Sequence, residues 1–118
     1  MAEIDLGGGQ LTVRLSRLER LGALRGDVAV ALADVAAVRA VDDPWAELRG
    51  VRAPGTGVPG VIALGTRRGG FGRDFAAVYG HNPGIVVELA HGPFGRLVIS
   101  TRAATDWAAR IDRARAGS

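Results

Sequence analysis

Alternation of apolar and polar residues, broken every few positions by glycine or proline, is the feature that most limits what this chain can become. Gln10 to Leu15 puts Leu11, Val13 and Leu15 on one side and Thr12 and Arg14 on the other, which predicts a strand. Val28 to Leu32 alternates in the same way, and Val35 to Val41 follows after a break at Ala33-Asp34. Val61 to Thr66 is dense enough in apolar residues for a strand. It turns at Arg67-Arg68-Gly69-Gly70 into a returning strand on which Phe71, Arg73, Phe75, Ala77 and Tyr79 share a face. Gly80 to Gly84 and Gly92-Pro93 mark two further turns, ahead of Ile85 to Ala90 and Phe94 to Ser100. The expectation is a meander of seven strands. Ala53 to Gly60 reads as the most loop-like stretch, and whether Glu3 to Leu6 adds an eighth strand stays open.

Three segments carry a helical signal instead. Ser16 to Gly22 fits about two turns, with Ser16 as cap, Leu18 and Leu21 facing inward and Gly22 closing it. Asp43-Pro44 is a cap followed by proline at the first helical position, with Gly50 as the stop, so Trp45 and Leu48 fall on one short turn. Ala103 to Arg115 places Ala104, Trp107, Ala108 and Ile111 at i, i+3, i+4 and i+7, the stripe of a helix packed on one side. Asp106 lies four residues before Arg110, and Arg113 and Arg115 sit near the negative end of the helix dipole. A mainly β chain with a C-terminal helix follows: a seven-stranded antiparallel barrel or sandwich capped by one helix.

That pattern resembles the pleckstrin-homology (PH) fold, and Trp107-Ala-Ala-Arg-Ile111 matches the W-x-x-x-I/L pattern of its C-terminal helix. The segments Val58-Pro59-Gly60, Gly65-Thr66-Arg67 and Arg73-Asp74-Phe75-Ala76 are similar to uncharacterised bacterial, especially actinobacterial, PH-like proteins. The resemblance covers nearly the whole chain and implies a scaffold or binding module, sometimes oligomeric, with no catalytic site and with Trp107 buried against the barrel mouth. One departure stands out. Lipid-binding PH domains carry a lysine-rich pattern between their first two strands, where this chain has Arg17, Arg20 and Arg25 in a short helix, so headgroup recognition is not carried over.

The 118 residues make a single domain spanning 1–118, large enough to bury a core without staples. With no cysteine, neither a disulfide framework nor a cysteine-based metal site is available. All 15 basic residues are arginine, so the calculated isoelectric point is inflated while the net charge is only +3. Any argument for a polyanion partner therefore rests on local clustering. Met1-Ala2-Glu3-Ile4-Asp5-Leu6 is acidic with no basic region ahead of an apolar run, and Val28 to Val41 is broken by Asp34 and Arg39. These features predict a cytoplasmic protein without a signal peptide or membrane-spanning helix, peripheral to the inner membrane surface if it binds lipid.

Arg67, Arg68 and Arg73 form the leading candidate site, an anion-binding hairpin tip with Arg49 and Arg52 nearby, set against the plainer reading of a solvated, ion-paired turn. A single Arg68-Gly-Gly-Phe71 copy, with Phe71 and Phe75 on the inward face, disfavours nucleic acid. Gly55-Thr-Gly-Val-Pro-Gly60 satisfies G-x-G-x-x-G on paper. It lacks the strand-then-helix setting, and Pro59 removes an amide, so it reads as plain loop. His81 and His91 sit beside turns without the three or four ligands a metal needs, although two adjacent turns could bring them together as a pair. Asp43 of the Asp42-Asp43 pair is explained as a cap, and Ser16, Ser100 and Ser118 lie outside any nucleophile elbow. Trp45 divides evenly between core anchor and exposed interface residue.

The functional expectation is a non-enzymatic PH-like protein-interaction or self-assembly module, with no catalytic residues, cofactor, metal or small-molecule substrate. Its partner is protein, a second copy or another chain, and Trp45 is the candidate interface residue. The alternative is a binder of anionic ligands, a lipid headgroup at the membrane surface or nucleic acid, through Arg67, Arg68 and Arg73.

Overall fold

A computed structural model describes residues 1–117, with the side chains of 52–54 outside the described set. Strand β1 (Glu3–Gly7) pairs antiparallel with β2 (Gln10–Arg14) across Gly8-Gly9. Those two glycines have φ of 60° and 75°, the doubly left-handed backbone of a tight hairpin turn that side-chain-bearing residues resist. Strand β3 (Val28–Ala31) pairs with the other side of β2 and completes a three-stranded sheet. As the alternation predicts, Leu11, Val13 and Leu15 are buried.

Between β2 and β3 lies helix α1 (Arg17–Ala23). Its start is a reciprocal capping box. The Glu19 N–H donates to Ser16 Oγ at 3.2 Å, and the Ser16 N–H donates to Glu19 Oε1 at 2.9 Å. Ser16→Ala is expected to cost about 1 kcal/mol, read as a lower urea midpoint at unchanged m-value. The helix ends not at Gly22 but at Leu24, whose φ of 56° is left-handed.

After a single 3-10 turn (Leu32–Asp34), strand β4 (Val35–Val41) leads to a second 3-10 turn (Pro44–Glu47). Then come β5 (Val51–Val58), β6 (Ile62–Gly69), β7 (Gly72–Tyr79), β8 (Gly84–Leu89), β9 (Arg96–Ser100) and helix α2 (Ala104–Ala116). Strands β4 to β9 form one six-stranded sheet in the order β4-β8-β9-β7-β6-β5. The protein is thus mainly β, with two sheets and a C-terminal helix.

Three features depart from the seven-stranded antiparallel expectation. The described residues form nine strands, because β1 exists and because β5 occupies the stretch expected to be a loop. An edge strand has one side without partners, so it tolerates proline and glycine that a central strand would not. A register shift between Arg52 and Gly55 accommodates them. Gly55 takes φ 151°, and a Cβ there would stand 2.3 Å from the Leu64 carbonyl oxygen. Second, the meander is broken, since β9 rather than β8 lies against β7 and that pair is parallel. Strand β8 is engaged on its other side by β4. Third, the sheet is open, its edges β4 and β5 being unpaired with each other, so α2 does not plug a barrel mouth. It packs instead on β4 and β8, with Ile111 and Ala104 buried and Trp107 half-buried beneath the Arg110 guanidinium, 4.1 Å from its ring.

The six-stranded sheet is covered on both faces, which explains continuous apolar runs such as Ile85 to Val87 and Leu97 to Ile99. One face, with Phe75, Ala77, Ile85, Val87, Leu97 and Ile99, meets the three-stranded sheet and α2 in the main core. The other carries Ala63, Ala76, Val78, Val86 and Val98 under Val41, Trp45 and Leu48. The second 3-10 turn is clipped there by charge. Arg39 pairs with Glu47, holding that carboxyl below the usual carboxylate range, and Arg96 Nη1 donates to the Glu47 carbonyl at 2.9 Å. No helix among the described residues is long and apolar enough to cross a membrane.

Candidate functional site

Register decides what the arginine hairpin can do. In the β6–β7 pair Arg67 stands opposite Asp74 and Arg68 opposite Arg73. Directly opposed residues share a sheet face and successive residues alternate. Arg67 is therefore on one face, and Arg68 and Arg73 are together on the other. The turn falls at Gly69 to Gly72 rather than at Arg67 to Gly70, because both arginines continue β6.

Arg67 is occupied by its own backbone. Its Nε donates to the Arg49 carbonyl at 3.0 Å and its Nη2 to the Gly50 carbonyl at 2.9 Å. Arg49 in turn makes a two-pronged bond to Asp74, at 2.6 and 2.9 Å, with its guanidinium 4.2 Å from the Phe71 ring centroid. The hydrogen bond to Asp74 raises the Arg49 guanidinium above its usual range. This side of the hairpin is a structural clamp, and the Arg52 side chain lies outside the described residues. Arg73 instead faces Phe94, at 6.0 Å, and the same ring has a second guanidinium, Arg25, at 5.0 Å. The sequence places Arg25 only with the short helix after β2. Neither its approach to Phe94 nor its pairing with Arg73 leaves a local trace in the sequence.

Trp45 is held by three features of its short turn. Asp43 Oδ1 accepts from the Trp45 backbone N–H at 3.2 Å, and the indole Nε1 donates to the Gly80 carbonyl at 2.8 Å. Its ring is half-buried over the second apolar cluster. The outer edge borders a groove of about 600 Å³ that also includes Leu48, Val51, Val58, Ala63 and Arg67.

Helix α1 reverses its expected face. Leu18 and Leu21 are 81% and 70% exposed, and Leu24 just beyond them is 65% exposed, while Glu19 and Ala23 are buried. Two contacts turn it. Tyr79 Oη donates a short hydrogen bond to Glu19 Oε2, and Thr56 Oγ1 donates to the Gly22 carbonyl at 2.8 Å. A Cβ at Gly22 would come within 3.2 Å of Thr56 Oγ1, so a small residue is what lets the helix approach β5. The signal was legible in part: Ser16-x-x-Glu19 is a capping box, and Gly22 and Ala23 are small residues on the same face as Glu19.

Beneath Leu18 the helix leaves a groove of about 460 Å³, bordered by Met1, Ile62 and Leu64 with Glu19 and Tyr79 at its polar end. Burial, then the Glu19 carboxylate, pushes the Tyr79 phenol well above its ordinary range.

The remaining candidates separate. His81 follows β7 and His91 follows β8, at opposite ends of the β8 strand, so they do not form the pair that adjacent turns would allow. Among the described residues no group of three or more His, Asp or Glu gathers as a metal site. Ser100 is buried, and its Oγ accepts from the Tyr79 N–H at 2.9 Å. Gly55 to Val58 lies within β5 and leads through a turn into β6, so no helix follows that glycine pattern. Set against protein-family models, curated proteins and solved structures, the chain matches none of them.

Proposed function

We propose that this chain is a non-enzymatic interaction module that associates with a second copy of itself through α1 and the open edge of β5. The row Leu18, Leu21 and Leu24 carries this reading. Full burial of a leucine side chain is worth roughly 1.5–3 kcal/mol, and clustered exposed apolar side chains mark interaction surfaces. The helix that carries the row is docked on β5, Thr56 Oγ1 donating to the Gly22 carbonyl, and β5 is an edge strand of the six-stranded sheet. A two-fold arrangement presents the same patch on both copies, so edge pairing and leucine burial can occur in one interface. Kinship with PH-like modules belongs to the same reading. Its support is the predominance of strand, the C-terminal helix and the Trp107-to-Ile111 spacing, while the parallel β7–β9 pair departs from that family's pattern.

The double variant Leu18→Glu/Leu21→Glu tests it. Both side chains are exposed in the single chain, so the variant should keep the parent's far-UV circular dichroism spectrum. Its mass by light scattering should fall from dimer to monomer, and its urea midpoint should lose the concentration dependence that association gives the parent. A variant that remains dimeric would show that the row is not the interface.

A further inference from the structure

We propose that Arg25 and Arg73, set against the ring of Phe94, form a binding site for a phosphate-type oxyanion. The site is independent of the leucine row and differs from the hairpin trio read from the sequence, since Arg67 is on the other sheet face and Arg25 comes from beyond α1.

Arg14, Arg20, Arg39, Arg49, Arg96, Arg110 and Arg115 each have an aspartate or glutamate within ion-pair distance. Arg25 and Arg73 have none among the described residues, yet their guanidinium carbons stand 5.0 and 6.0 Å from one ring centroid. The neighbouring carboxylate, Asp74, points to the opposite face and is taken by Arg49. A ring contact uses the cation's charge but satisfies none of its N–H donors. The one further bond is from Arg25 Nε to the Gly26 carbonyl, long at 3.4 Å.

Two like charges thus flank one ring with no carboxylate at ion-pair distance among the described residues, Arg25 half-buried and Arg73 exposed. Burial and the Arg73 charge push the Arg25 guanidinium below its usual range, the sign expected for a cation lacking an anion. Beside Arg73 a depression of about 290 Å³ is bordered by Arg73, His91 and Phe94, with Arg25 outside its lining. Guanidinium forks match the spacing of phosphate oxygens, and charge-assisted bonds to a dianion would satisfy the free donors while removing the repulsion. The chemistry fits a free phosphate monoester or a phosphorylated lipid headgroup equally.

The test is an NMR titration of the 15N-labelled protein with inorganic phosphate at constant ionic strength, with Arg25→Gln, Arg73→Gln and the ion-paired control Arg110→Gln. The parent and the control should show saturable shifts at Arg25, Arg73 and Phe94, and each of the other two variants should bind about tenfold or more weakly, as loss of hydrogen bonds to a charged group implies. Phosphate should also raise the parent's Tm but not that of Arg73→Gln, by mass action on the folded state. Vesicles containing phosphatidic acid, set against phosphatidylcholine alone, separate the sources. Arg25- and Arg73-dependent vesicle binding supports a headgroup, and phosphate binding without it supports a free monoester. No saturable shift in the parent, or shifts that persist in both glutamine variants, would overturn the proposal. So would binding confined to a single-stranded oligonucleotide.

Discussion

Phe75→Ala is expected to lower stability by about 4 kcal/mol, the range for truncating a large aromatic in a packed core, and with it Tm by roughly 15 °C for a domain of this size. Phe75 is 0% exposed on the fourth strand of the six-stranded sheet, between β9 and β6. Its ring meets Phe94 edge-on at 6.1 Å, and the Arg25 guanidinium is 5.9 Å from its centroid. Rigid strands on both sides keep the site from collapsing, so the cavity should remain. Phe71→Ala is the comparison, because Phe71 is half-buried beneath Arg49 at the hairpin tip, and it should cost less than half as much. Equal losses in urea denaturation would mean that the core is not centred on Phe75.

The second large effect belongs to Asp74. Its carboxylate is 2% exposed and accepts both bonds from Arg49, a side chain that remains about one-third exposed at 34%. Removing one partner of a buried pair leaves an uncompensated charge, and because Arg49 keeps access to water the lower end of that penalty applies, about 3 kcal/mol for Asp74→Ala. The loss should be felt beyond the pair. Arg49 and Gly50 supply the carbonyls that hold Arg67, so the segment between the Trp45 turn and β5 depends on the same anchor. Asp5→Ala removes the partner of Arg14 in a pair exposed on both sides and should leave the urea midpoint essentially unchanged. A denaturation series in which the two variants behave alike would contradict the clamp.

What could be read from residue order follows from the range of the interactions. Leu11, Val13 and Leu15, the span Val35 to Val41, the caps at Ser16 and Asp43, and the stripe from Ala104 to Ile111 are set by neighbours within a few positions, and each stands where local pattern puts it. Strand β5 was hidden because its glycines and proline are turn residues by composition, and only an unpaired edge makes them compatible with pairing. The parallel contact of β7 with β9 depends on where β4 captures β8, a choice that no window of sequence contains. Leu18 and Leu21 read as inward by hydrophobicity alone. The hydrogen bond from Tyr79, sixty residues away, turns Glu19 inward instead.

The candidate site shows the same division. Arg67, Arg68 and Arg73 do lie on one hairpin, but strand alternation sends Arg67 to the clamp and leaves Arg68 and Arg73 on the face where Arg25 arrives from another element. The indole of Trp45, divided between anchor and contact, has its N–H satisfied by Gly80 and its ring over the second apolar cluster. The same ring borders the groove that includes Val51 and Val58.

Multi-angle light scattering of the purified chain at low and high salt tests the central claim most directly. Association through leucines and a strand edge is apolar and backbone-mediated, so screening should leave it intact. The expected result is twice the 12.2 kDa chain mass at both salt concentrations. A mass of one chain at both would contradict self-association, and a dimer that dissociates in high salt would contradict an interface built on Leu18, Leu21 and Leu24.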